Sequence, residues 1–138
     1  MIIEQPAVFL RWIYPHALWR MDKREKAVYL TFDDGPIPEA TPFILDTLER
    51  FGAKATFFMV GDNAQKYPHL LAEVKARGHR IGNHTYNHIG GLRWWSWLYL
   101  ANVVKADKIL KTDLFRPPHG WMKIMQYRVL RHCGFRVV

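Results

Sequence analysis

Four strand-length apolar runs, each followed by a polar turn and a stretch of helical periodicity, restrict this chain to few architectures. The runs are 27–32, 55–60, 79–83 and 114–117, and 135–138 begins a fifth. Strand and helix in regular succession imply parallel strands joined by right-handed crossovers. Apolar runs without alternation predict strands covered on both faces. The first run ends in Asp33-Asp34-Gly35-Pro36, a tight-turn sequence, so it reads as a buried strand.

The intervening segments have helix signals of their own. Pro42 opens a helix with Phe43, Ile44, Thr47, Leu48 and Phe51 on one side, and Gly52 stops it. Leu70, Leu71, Val74 and Ala76 ride a second helix that ends at Gly78. After Gly90 and Gly91, helical spacing of Leu92, Trp95, Tyr99, Val103, Ala106 and Leu110 predicts a third, and 124–132 a fourth. The expected fold is therefore α/β, either an open doubly wound sheet or part of a (β/α) barrel of about four to five units. Because the chain stops inside an apolar strand, it is expected to be an incomplete piece of a longer domain, with uncovered first and last strands. Two regions are expected: an N-terminal aromatic and basic segment, 1–25, and a catalytic domain over 26–138.

Composition narrows the class further. With 138 residues, 49% hydrophobic and 23% charged, the chain is a folded domain rather than a disordered one. The single Cys133 excludes an internal disulfide framework and a cysteine-rich zinc site. A formal charge of +8 fits an acidic partner, a nucleic acid or an anionic envelope surface. Nucleic acid rests on charge and aromatic content alone, and none is expected as a partner. The apolar stretch 7–19 is interrupted by Arg11 and Pro15 and lacks a basic leader and small-residue cleavage site, so neither a signal peptide nor a spanning helix is recognised. Packing on the domain is its first reading. Contact of residues 7–20 with a membrane surface, through Trp12, Tyr14 and Trp19 beside Arg11 and Arg20, is the second.

In a parallel sheet the loops after the strands emerge on one side, where active sites form. Asp33 and Asp34 follow the first strand, His84 and His88 the third, and Arg116-Pro117-Pro118-His119-Gly120 the fourth. Taken singly, each is ordinary: a capped turn, a histidine pair in a chain of seven histidines, an arginine at a strand end. Together, two imidazoles and a carboxylate supply the three protein ligands of a catalytic divalent metal. Two adjacent carboxylates can divide the labour, one on the metal and one taking a proton from water. An arginine beside the base keeps it ionised, and a main-chain N–H after the prolines suits an oxyanion. The reaction class implied is metal-assisted hydrolysis of an acyl group.

Thr31-Phe32-Asp33-Asp34-Gly35-Pro36, His84-Thr85-Tyr86-Asn87-His88 and Arg116-Pro117-Pro118-His119-Gly120 resemble, in order and spacing, the first three motifs of the polysaccharide deacetylases, carbohydrate esterase family four. The resemblance runs from about Lys26 to the C-terminus and implies a distorted (β/α) barrel. It implies Asp33 as general base, Asp34, His84 and His88 as metal ligands, Arg116 as the group orienting Asp33, and the main-chain N–H of His119 as oxyanion donor. The implied cofactor is a divalent ion, zinc first, with cobalt, manganese or nickel as alternatives. The implied substrate is an N-acetylated glycan such as chitin or peptidoglycan, a polymer of the envelope, although no export signal is visible. Two departures stand out: His119 replaces the family's usual tyrosine, and the last two motifs, including the general-acid histidine, are absent. The chain alone is accordingly expected to be weakly active. A non-catalytic glycan-binding or envelope-associated module that retains the metal site is the alternative, and oligomeric state is not legible.

Overall fold

The computed structural model describes residues 9–138 apart from Lys23 and Glu25. Residues 7 and 8 of the predicted N-terminal segment lie outside the described residues. Five strands, β1 (Leu30–Asp33), β2 (Ala55–Met59), β3 (Arg80–Asn83), β4 (Leu114–Phe115) and β5 (Arg136–Val137), form one sheet in sequential order. Every neighbouring pair is parallel. The helices are α1 (Leu10–Ile13), α2 (Thr41–Arg50), α3 (Gly61–Lys66), α4 (Pro68–Ala76), α5 (Ser96–Leu110) and α6 (Ile124–His132). Sequential parallel order with helices between strands is the α/β arrangement the alternation predicts.

The helices bury the convex face of the sheet in two clusters. One gathers Leu45, Phe57, Met59, Val74, Ala106 and Leu110, from β2 and from α2, α4 and α5. The other gathers Tyr99, Val103, Phe115, Tyr127 and Val137 with Leu10 and Tyr14 of the N-terminal segment. That segment is tied down: Leu18 N–H donates to Val137 O at 2.7 Å, the hydroxyl of Tyr14 donates to Met122 O, and Tyr14 meets the ring of Tyr127 at 5.1 Å.

Several expectations need correction. Coverage on both faces is only partial. The concave face lines an open cleft of about 1530 Å³, whose wall includes Thr31, Thr56, Phe58, Arg80, Leu114 and Arg136. Of these strand residues, Phe58 and Leu114 are buried, but Thr31, Arg80 and Arg136 are exposed. β1 is not a buried strand, since Leu30 is 40% exposed and Val28, just before it, 87%. It ends the sheet with one edge unpaired among the described residues. The last strand is not a bare edge, because Leu18 bonds to it. Phe43, Ile44, Thr47, Leu48 and Phe51 do share a side of α2, but that side faces a groove of about 330 Å³ beside β1, and Phe43 and Phe51 are exposed. The third predicted helix starts late: α5 opens at Ser96, so Leu92 and Trp95 fall outside it and are exposed, whereas Tyr99, Val103, Ala106 and Leu110 are fully buried. α3, with sequence Gly-Asp-Asn-Ala-Gln-Lys, has no apolar period to announce it.

One close approach matters for the site. Phe58 and Gly82 are partners in the β2–β3 register, and the Phe58 ring lies across the glycine, where a Cβ would stand 2.3 Å from Cδ1. Gly82→Ala should therefore cost about 1–3 kcal/mol by overpacking, read as a lower urea midpoint and restored by adding Phe58→Leu. An unchanged midpoint would contradict this packing. Buried His79, which accepts the Ala55 N–H at 3.3 Å, has its pKa lowered by burial and by the nearby charges of Lys54 and Arg77. The fold thus binds fewer protons than the unfolded chain, and this stability is present above the unfolded value of about 6.5 and lost as pH falls below it. Thermal midpoints of metal-free protein should drop between about pH 7.5 and pH 5.5, and His79→Gln, which retains an acceptor, should flatten part of that drop.

Candidate metal centre

Three strand ends converge at the rim of the cleft. Asp33 closes β1 and Asp34 follows it, His84 follows β3, and Arg116 follows β4. The donor atoms of Asp34, His84 and His88 all lie within 4.8 Å of one another. Nε2 of His88 is 3.1 Å and Nε2 of His84 is 3.5 Å from Oδ1 of Asp34. His84 is buried, His88 half-buried and Asp34 open to the cleft.

The chemistry of this donor set fits a cation. Nδ1 of His84 lies 2.7 Å from the carbonyl oxygen of Arg116, which can only accept, so Nδ1 holds the proton and Nε2 presents a bare lone pair. Burial, the largest influence, pushes the pKa of His84 down, against the opposing pull of that hydrogen bond, so the imidazole stays neutral as a ligand must be. A carboxylate oxygen facing such a lone pair is stabilised by a positive charge between them. Locking one ring nitrogen to aim the other at an ion is a recurrent support in metal sites.

Asp33, the predicted base, stands beside the triad rather than in it. Nη1 of Arg116 donates to Oδ1 of Asp33 at 2.9 Å and to Oγ1 of Thr31 at 3.0 Å. The guanidinium lies over Phe58, with Cζ 4.1 Å from the ring centroid. The ring of His119 meets that of His88 at 5.0 Å, the same separation as His84 from His88, which sets the Pro118–Gly120 turn against the ligands. All six predicted site residues, Asp33, Asp34, His84, His88, Arg116 and His119, thus line one end of one cleft.

The local backbone is unusual. Asp34, Thr85, His88 and His119 have φ of 69°, 64°, 54° and 61°, and Gly35–Pro36 is cis. Left-handed conformations cost non-glycine residues about 1–3 kcal/mol each and persist where surroundings over-determine them. The surroundings include side-chain amides that the motifs did not reveal, buried Asn83 and half-buried Asn63 and Asn102. Asn83 donates to Val103 O at 3.0 Å and accepts the Thr85 N–H at 2.9 Å. Asn102 accepts the N–H groups of Tyr86 and Asn87 at 2.7 and 3.0 Å. Asn63 donates to Asp34 O at 2.8 Å. At the start of α3, Val60, Gly61 and Asp62 donate their N–H groups to the carbonyls of Gly35, Thr85 and Tyr86. One signal for Asn102 was available: it is a polar residue beside the buried stripe of α5.

Comparison with known proteins identifies the family. The model of the family described as polysaccharide deacetylase matches residues 20–138. The chain is 35% identical over 139 residues to a peptidoglycan-N-acetylglucosamine deacetylase of Bacillus cereus, covering 89% of this chain and 60% of that protein. It is 42% identical over 126 residues to a chitooligosaccharide deacetylase of Azorhizobium caulinodans, covering 86% and 60%. Among solved structures, the Bc1960 peptidoglycan N-acetylglucosamine deacetylase superposes with a TM-score of 0.78 at 37% identity over 80% of this chain and 54% of that one. A family 4 carbohydrate esterase of Streptomyces lividans gives 0.76 at 28% identity over 80% and 60%. The chain spans about half to three fifths of the length of the curated relatives it matches first.

If Asp34, His84 and His88 share one ion, His84→Ala should weaken zinc binding at calorimetry by more than the roughly 10–100-fold typical of a lost supporting residue. Zinc at about 1,000 times its Kd should stabilise the fold by about 4 kcal/mol. Unaltered affinity in His84→Ala would refute the ligand set.

Proposed function

The chain belongs to the polysaccharide deacetylase family, and from that premise we propose that it hydrolyses acetyl groups from an N-acetylated glycan of the chitin or peptidoglycan kind, with a divalent ion, zinc first, as cofactor. The observation behind the proposal is the pairing of an Asp34–His84–His88 donor set with an arginine-held carboxylate at the mouth of one cleft. Its relatives include proteins named as peptidoglycan-N-acetylglucosamine and chitooligosaccharide deacetylases, which supports the substrate class we assign.

Bound there, a divalent ion would acidify a water molecule and polarise the acetyl carbonyl. Asp34, His84 and His88 would hold it. Asp33 then accepts the proton of the attacking water. Because Arg116 binds Oδ1 of Asp33, the carboxylate is held in place and the other oxygen is left to face the reacting atoms. The N–H of His119, on the turn packed against His88, is the donor we assign to the developing oxyanion, and such a donor contributes about 10²–10³ in rate. In this role His119 acts through its main chain, so a histidine in place of tyrosine is tolerated.

Incubation with N-acetylglucosamine oligomers and zinc, with protein in excess so that one slow turnover is visible, should release acetate. Asp33→Asn should lower that release by about 10²–10⁴-fold and leave zinc affinity intact. Retention on chitin without any acetate release would overturn the catalytic reading in favour of a glycan-binding module. Release that survives Asp33→Asn would overturn the role of Asp33.

A further inference from the structure

An aromatic and basic surface beside the cleft is left unexplained by the metal centre. Trp94, Trp95 and Trp97 are 44%, 73% and 67% exposed, and Trp121, Ile124 and Met125 are 42%, 49% and 52% exposed. The two segments are neighbours. Nζ of Lys123 donates to Trp94 O at 2.9 Å, and Gln126 donates to Gly91 O at 2.9 Å. Gly91 sits so near Met122 that a Cβ would come within 2.9 Å of it. The patch also adjoins the site: Trp121 and His119 line the cleft, and a Cβ on Gly90 would be 3.2 Å from His119.

Its charge has one sign. Residues 88–106 and 117–135 contain Arg93, Lys105, Lys123, Arg128 and Arg131 and not one aspartate or glutamate. Arg93 and Arg128 are exposed and form no ion pair among the described residues. Exposed indoles with aliphatic side chains and unneutralised cations are what a bilayer interface takes up: rings settle at headgroup depth, and cations meet anionic lipid. A neutral sugar would need a stacking ring, but neither the aliphatic side chains nor the acid-free flank. No helix among the described residues is long and apolar enough to cross a membrane, so attachment would be at the surface.

We propose that this surface docks the protein on an anionic bilayer and so seats the mouth of the cleft at the lipid headgroups. The full chain should sediment with phosphatidylglycerol-containing vesicles and not with pure phosphatidylcholine, and its tryptophan emission should shift blue and be quenched by brominated lipid. Each interfacial cation is worth about fivefold in partitioning, so Arg93→Glu with Arg128→Glu should weaken binding at least about tenfold. Trp95→Ser with Trp97→Ser should weaken it too, and both double variants should keep wild-type circular dichroism and zinc affinity. Failure to bind anionic vesicles at low salt would overturn the proposal, as would binding that both double variants leave intact. Retention on acetylated glycan that is lost with the two tryptophans, in a protein that ignores vesicles, would show a sugar platform instead. None of these measurements uses acetate release, so the docking can fail while the deacetylase assignment stands, and the reverse.

Discussion

Arg116 joins the ligand His84 to the carboxylate Asp33, and much of the site's geometry follows from how that one residue is held. Its N–H donates to Asn83 O at 3.0 Å, its carbonyl receives Nδ1–H of His84, and its guanidinium binds Asp33 and Thr31 while lying on Phe58. Main chain and side chain therefore link β1, β2, β3 and β4 at their C-terminal ends. Parallel pairing makes this feasible, since strands running the same way deliver successive loops to one rim. The link also separates roles between two adjacent carboxylates. Asp33 is committed to arginine, and Asp34, turned away by its positive φ, faces the imidazoles.

Such a rim cannot be built from relaxed backbone alone. Four residues at the site adopt left-handed φ; Asp34 and Thr85 are held by bonds from α3, and His88 and His119 by the contact of their rings. Asn83 and Asn102 act as internal connectors for the loop after β3, and α3 offers its first N–H groups to the loops after β1 and β3. A helix N-terminus needs such acceptors in any case, so satisfying α3 and fixing the loops are the same set of bonds. Strain and its support are thus co-located with the chemistry, as expected where function sets the conformation.

Away from the rim, the sheet is asymmetric. Its convex face is packed by helices, while its concave face and the β1 edge expose apolar and charged side chains together, among them Val28, Phe58's neighbour Thr56, and the Arg80–Asp113–Arg136 cluster with Arg136 Nη2 2.6 Å from Asp113. The N-terminal segment covers β5 rather than β1, because Leu10 and Tyr14 find their apolar partners among α5, α6 and the turn before α6.

The sequence by itself determined the alternation of elements, hence parallel order, hence the gathering of Asp33, Asp34, His84, His88, Arg116 and His119 on one side. Apolar period and strand polarity are local properties, and those suffice for that deduction. Boundaries set by contacts across the fold were beyond it: α3 is polar throughout, α5 begins only at Ser96, and β1 is open because nothing among the described residues pairs with its outer edge. Strand polarity left open which aspartate meets the imidazoles, a choice the motif resemblance implied; tertiary structure alone decided that Phe58 and Gly82 make a bed for Arg116 and that Trp95 and Trp97 face outward. The reason is that spacing along a chain fixes which end of a strand a residue occupies, whereas φ, side-chain direction and neighbours distant in the chain fix what that residue touches.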